Sequence, residues 1–82
     1  MADQAEIHRY PLLEEMLALR GMRLQATYTN RDLGQLFEVS IRTIQDRVAT
    51  GQLTSRDLPG RAKFLQIDLE EFLRNSRRRH RK

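Results

Sequence analysis

The chain has 82 residues, enough for one domain, and a domain of this size buries only about 60% of the surface its unfolded chain exposes. It contains no cysteine, so neither a disulfide nor a cysteine-ligated zinc site can support it, and His8 and His80 stand at opposite ends of the chain. The net charge of +4 is uneven: Arg77, Arg78, Arg79, Arg81 and Lys82 contribute +5, so residues 1–76, with ten basic and eleven acidic side chains, carry −1. No apolar run approaches the roughly 18 residues of a membrane span, and no signal-peptide core opens the chain. A cytoplasmic protein is expected.

Residues 1–10 are polar apart from Ile7 and Tyr10 and are expected to be flexible. Pro11 suits the first turn of a helix, and Leu12, Leu13, Met16, Leu17 and Leu19 supply its apolar face, with Glu14 and Glu15 outward. Gly21 should end it. This helix can cover the small core or form a dimer surface; the need for extra cover in so small a domain favours the first. From Met22 to Tyr28 the chain is a connector, in which the alternation of Leu24, Ala26 and Tyr28 allows a short strand.

The stretch from Thr29 to Gly51 reads as two short helices. Leu33, Leu36 and Phe37 place one apolar stripe on the first; Ile41, Ile44 and Val48 do so on the second. Thr29 is placed as the first cap, with Asp32 completing a capping box and Tyr28 and Leu33 in the staple positions. Ser40 caps the second helix, and Gly51 can end it in a left-handed conformation. Only Glu38 and Val39 separate Phe37 from the second cap, and so short a link predicts a helix-turn-helix.

Beyond it, Leu53–Asp57 and Arg61–Leu65 are expected to form a β-hairpin around Pro59-Gly60. Asp68 should cap a last helix running to about Ser76, with Glu71 completing its box and Leu69, Phe72 and Leu73 facing the core. The basic residues that follow, Arg77, Arg78 and Arg79 among them, form a tail suited to a polyanion such as DNA or RNA, or simply a solvated end.

These pieces, in their order, resemble the small winged helix-turn-helix proteins of the excisionase and MerR-like group, which are bacterial and phage DNA-binding proteins. The matching residues are Thr29 to Leu36 (TNRDLGQL), Val39-Ser40 followed by Arg42-Thr43-Ile44, Gly51-Gln52-Leu53, Gly60-Arg61, and Asp68-Leu69-Glu70-Glu71-Phe72-Leu73. They span roughly half the chain. The resemblance implies a mainly α fold with a small β-hairpin, a winged helix-turn-helix to which this chain adds an N-terminal helix. It also implies double-stranded DNA binding, with the second helix in the major groove and the hairpin wing on the backbone or in the minor groove. The organisation would be a flexible terminus (1–10), the added helix and connector (11–27), the DNA-binding domain (28–75) and the basic tail (76–82).

Recombination directionality and transcription control are the two uses the resemblance suggests. The long coiled coil and effector domain of full MerR regulators are missing, so no small-molecule effector is expected. Some minimal members bind DNA in cooperative rows, which makes a homo-oligomer or an array on DNA a conceivable assembly. Three residues depart from the family pattern: Glu38 stands where glycine is common, and Ile41 and Asp46 make the second helix less basic than usual. Gly34 replaces a residue that is usually small, which predicts close approach of the two helices.

The expected DNA contacts follow. On the second helix, Ile41, Ile44 and Val48 project inward, Arg42, Thr43, Asp46 and Ala49 outward, and Gln45 and Arg47 to the flanks. Arg42 lies in the first turn, where base contacts concentrate; arginine matches guanine and glutamine adenine. Its bland alternative is an exposed Arg42–Asp46 pair. Asp46 could read a cytosine amino group or orient Arg42. Thr29, Asn30, Arg31 and Ser40 are added as contacts at the helix starts, and Arg56, Arg61 and Lys63 as contacts from the wing, with Arg61 the foremost. No nucleophile–base set, phosphate loop or metal spacing is present, so neither an enzyme nor a bound cofactor is expected. The competing class is a protein-interaction module on the same scaffold.

Overall fold

A computed structural model describes residues 9–76. The elements run α1 (Pro11–Arg20), β1 (Thr27–Tyr28), α2 (Asn30–Phe37), α3 (Ile41–Ala49), β2 (Phe64–Leu65) and α4 (Gln66–Asn75). Among the described residues the chain is thus mainly helical with one two-stranded antiparallel sheet. None of these helices is long and apolar enough to cross a membrane. The terminus expected to be flexible, up to His8, and the basic tail from Arg77 onward lie outside the described residues.

α1 begins at Pro11, whose missing N–H costs nothing in a first turn. It ends at Gly21, in the left-handed region at φ +69°, where the Gly21 and Met22 N–H groups donate to the carbonyls of Ala18 and Leu17. Leu13 and Leu17 are fully buried, and α1 packs mainly on α4 while also touching α2. The expected apolar face is narrower than its leucine content suggests: Leu12 and Leu19 are exposed, because four-residue spacing keeps only Leu13 and Leu17 on the side facing α4.

At the start of α1, Tyr10 supplies no side-chain cap and Glu14 accepts from the Tyr10 N–H at 3.3 Å, so the N–H groups of Leu12 and Leu13 need another acceptor. The acceptor comes from the far end of the sequence. Glu70 of α4 is buried and accepts from the N–H of Leu13 (2.9 Å) and of Leu12 (3.3 Å). A carboxylate at a helix N-terminus satisfies orphan donors and opposes the helix dipole favourably. Arg74, one turn further along α4, pairs with it at 3.3 Å.

α2 and α3 carry the expected caps. Thr29 Oγ1 accepts from Asp32 N–H and Asp32 Oδ2 accepts from Thr29 N–H, both at 3.0 Å. Ser40 Oγ accepts from Thr43 N–H at 3.1 Å. Tyr28 and Leu33, the two staple positions, are both buried. Glu38 takes the left-handed conformation (φ 58°, ψ 47°) that glycine would adopt at less cost. Arg20 clamps this turn: its Nε donates to the Leu36 carbonyl at 3.0 Å and its Nη1 meets Glu38 Oε2 at 2.9 Å. Close approach explains Gly34, since a β-carbon there would stand 3.0 Å from the Val39 carbonyl oxygen.

The sheet corrects the expected hairpin. β2 pairs with β1, in the register Thr27↔Leu65 and Tyr28↔Phe64, and residues 53–57 form no strand. The reason lies in what each segment can bury. Tyr28 and Phe64 are directly opposite and both are fully buried, a strong cross-strand pair. In 53–57 only Leu53 is buried, and its N–H is drawn to the Arg47 carbonyl at the end of α3. A single backbone bond, Arg56 N–H to the Lys63 carbonyl (2.7 Å), spans the loop, while Lys63 N–H donates to Tyr28.

α4 also starts earlier than expected, at Gln66, so Asp68 is not its cap but the third helical residue. Leu65 has no side-chain acceptor, so only the returning half of a capping box is made: Asp68 Oδ2 accepts from Leu65 N–H at 2.9 Å. Leu69 is buried, and Phe72 packs edge-to-face on Phe37, centroids 5.7 Å apart, joining α4 to the end of α2.

Candidate nucleic-acid interface

α3 is held from behind and open in front. Ile44 is buried and Val48 half-buried, while Arg42, Gln45, Asp46, Arg47 and Ala49 are exposed. Ile41 was expected to point inward but is 44% exposed. As the first residue of α3 it overhangs the edge of α2 beside Gly34 instead of entering the core. Thr43, expected outward, is half-buried, and its hydroxyl lies 3.1 Å from that of Ser40. Ser40 and Thr43 are therefore partly committed to holding the first turn of α3.

The charged groups on this face differ in how free they are. Arg42 and Asp46, one turn apart, make no ion pair with each other. Arg47 donates from Nη1 to Gln52 Oε1 at 2.7 Å, which turns it toward the end of α3. Around α3, Arg31 on α2 is exposed and Asn30 half-buried, whereas the Thr29 hydroxyl is occupied by its cap.

The loop from Thr54 to Lys63 divides the three cations expected to act together. Arg61 and Lys63 are exposed, with no side-chain ion pair. Arg56 instead grips the buried Asp68 with two bonds, Nε to Oδ2 at 2.8 Å and Nη2 to Oδ1 at 2.9 Å. These hydrogen bonds, and then the charge of Asp68, push the Arg56 pKa up. Arg56 thus ties the loop to α4, and its guanidinium edge is occupied. Arg77, Arg78 and Arg79 lie outside the described residues.

A cleft of about 600 Å³ opens beside this face, between α3, the turn after it and the end of α4. Phe37, Val39, Leu53 and Phe72 give it an apolar floor, with Arg47 and Asn75 on its walls. It has no local sequence signature, since its walls come from three separate segments. Asp68 and Glu70 were likewise missed as buried groups. No local pattern marks Glu70, because its partners Leu12 and Leu13 lie 58 and 57 residues away. No three His, Cys, Asp or Glu side chains gather into a metal-binding group among the described residues.

Comparison with known proteins adds no relative: no family model, curated protein or solved structure matches the chain.

Proposed function

We propose that the α2–α3 pair is a helix-turn-helix within a winged scaffold and that the chain binds double-stranded DNA sequence-specifically. In this reading α3 enters the major groove, and the 54–63 loop approaches the backbone as the wing. The observation that carries it is the division of α3. Its rear is fixed by Ile44, Val48 and the Ser40 cap, while Arg42, Gln45 and Asp46 project from its front with no structural task. Helices that read DNA present their N-terminal residues to base edges in this manner. Arg31, Arg61 and Lys63 then supply phosphate contacts around the base-reading residues. Recombination directionality and transcription control are both uses of such a module.

The test is duplex binding against salt. About five phosphate contacts release enough counterions for a log–log slope near −4 to −5. A mixed genomic pool that shows no duplex binding at low salt would refute the reading. The second reading, a protein-interaction module, would then take its place. It is favoured by the apolar cleft next to α3 and by the exposed Val39 and Ile41 nearby.

A further inference from the structure

Asp46 has no structural reason to be where it is. It lies in the middle of α3, past the first turn where a carboxylate would favour the helix dipole. It caps nothing, makes no ion pair and is exposed, and aspartate is a poor residue for a helix interior. On a face that meets DNA it is worse still, because it repels phosphate.

Resting on the DNA-binding reading above, we propose that Asp46 is a specificity-determining residue that accepts a hydrogen bond from the amino group of a cytosine in the major groove. The chemistry is selective. An ionised carboxylate only accepts hydrogen bonds. Guanine presents two acceptors in the major groove, and thymine an acceptor and a methyl group, so both reject it. Adenine offers its amino group with the N7 acceptor beside it, and cytosine offers a donor without that neighbour. Asp46 therefore favours cytosine and disfavours the other bases.

Arg42 completes the reading head. Four residues of helix advance about 6 Å, close to two base-pair steps of about 3.4 Å. Arg42 and Asp46 share a face and leave each other free, so each can meet its own base pair. Arg42 reads a guanine and Asp46 a cytosine one or two steps away.

The experiment selects bound sequences from a duplex pool with a randomised centre, using the parent chain, Asp46→Ala, Asp46→Asn and Arg42→Ala. Circular dichroism confirms that each variant folds, as expected for changes at exposed helical positions. The parent should select a cytosine whose replacement costs roughly tenfold or more in affinity. Asp46→Ala should lose that preference and bind scrambled duplex more tightly. Asp46→Asn should move the preference at the same base pair from cytosine to adenine, because an amide pairs with adenine N6 and N7. Arg42→Ala should keep the cytosine and lose a guanine.

An Asp46→Ala variant that selects the parent's site unchanged, while binding all duplexes more tightly, would overturn the proposal and leave Asp46 as a repulsive charge only. A parent that binds duplex without sequence preference would overturn it too, while leaving DNA binding itself standing. A parent that binds no duplex would remove the DNA-binding reading and this proposal with it.

Discussion

Removing the Glu70 carboxylate should destabilise the chain more than any change on the exposed face of α3. In Glu70→Ala the N–H groups of Leu12 and Leu13 lose their acceptor, and the nearby Glu14 carboxylate already accepts from the Tyr10 N–H at 3.3 Å. Loss of a helix cap costs about 0.5–2 kcal/mol, and a buried donor left unpaired about 1–3 kcal/mol. The two ranges overlap, because the Leu13 N–H enters both, so a total of about 2–4 kcal/mol is expected. Alanine's better helix propensity in α4 offsets only a few tenths of that. A domain of this length shifts its midpoint by about 4–8 °C per kcal/mol, so Glu70→Ala should melt at least about 8 °C lower. Glu70→Gln keeps one acceptor oxygen and loses the charge, and should fall about midway. Arg74→Ala removes only the exposed partner and should cost about 0.5 kcal/mol or less. Urea titrations followed by circular dichroism would measure all three. If Glu70→Ala lay within about 0.5 kcal/mol of the parent, the carboxylate would not be the cap of α1.

Three further changes test other joints. Glu38→Gly should be neutral or stabilising by up to about 1 kcal/mol, because relief of the left-handed backbone outweighs glycine's entropy and the loss of the exposed Arg20 pair; Glu38→Val should lose about 1–2 kcal/mol in the same thermal melts. Burial raises the pKa of Tyr28 above its usual 10, so the folded state holds the proton more tightly than the unfolded one; the stability this gives is complete below about pH 10 and is lost as pH rises beyond it. Tyr28→Phe should cost about 1 kcal/mol at neutral pH through the lost Gln25 N–H bond, yet show a shallower alkaline decline in melts from pH 8 to 11.5. Arg56→Ala should lower the melting temperature and leave the salt slope of DNA binding unchanged, whereas Arg61→Ala should leave the melting temperature unchanged and flatten the slope by about one; the opposite result would make Arg56 the DNA contact and Arg61 the structural residue.

What could be read from the sequence follows the range of each interaction. The Thr29–Asp32 box, the Ser40 cap and the Gly21 stop join residues five or fewer apart, and all are visible as local patterns. The strand at Phe64–Leu65 was also anticipated, but its partner was not. Nearness in sequence favours Leu53–Asp57, whereas pairing with Tyr28 sets two fully buried aromatic side chains opposite each other. Asp68 was misplaced for a related reason. An aspartate at the cap or at the third helical position looks the same in sequence, and the choice depends on whether Leu65 can leave the strand directly into the helix. For Glu70, nothing in its sequence neighbourhood signals that the start of α1 lies over it.

The same tertiary contacts determine which charges remain to meet a partner. Of the ten cations in residues 1–76, Arg20, Arg56 and Arg74 are held in ion pairs with Glu38, Asp68 and Glu70, and these pairs join α1 to the α2–α3 turn, the loop to α4, and successive turns of α4. They cancel in charge and have mechanical work to do. Arg31, Arg42, Arg61 and Lys63 have no such task, and they lie on the start of α2, the start of α3 and the loop beyond Pro59. The ion pairs thus leave these four cations exposed on α2, α3 and the 54–63 loop, together with the exposed carboxylates Asp46 and Asp57. A wholly basic helix there would bind every duplex strongly through phosphates and discriminate little. On the proposed reading, the Asp46 carboxylate weakens that general attraction while offering a directed acceptor to a base edge, so that a domain this small would trade affinity for choice of sequence.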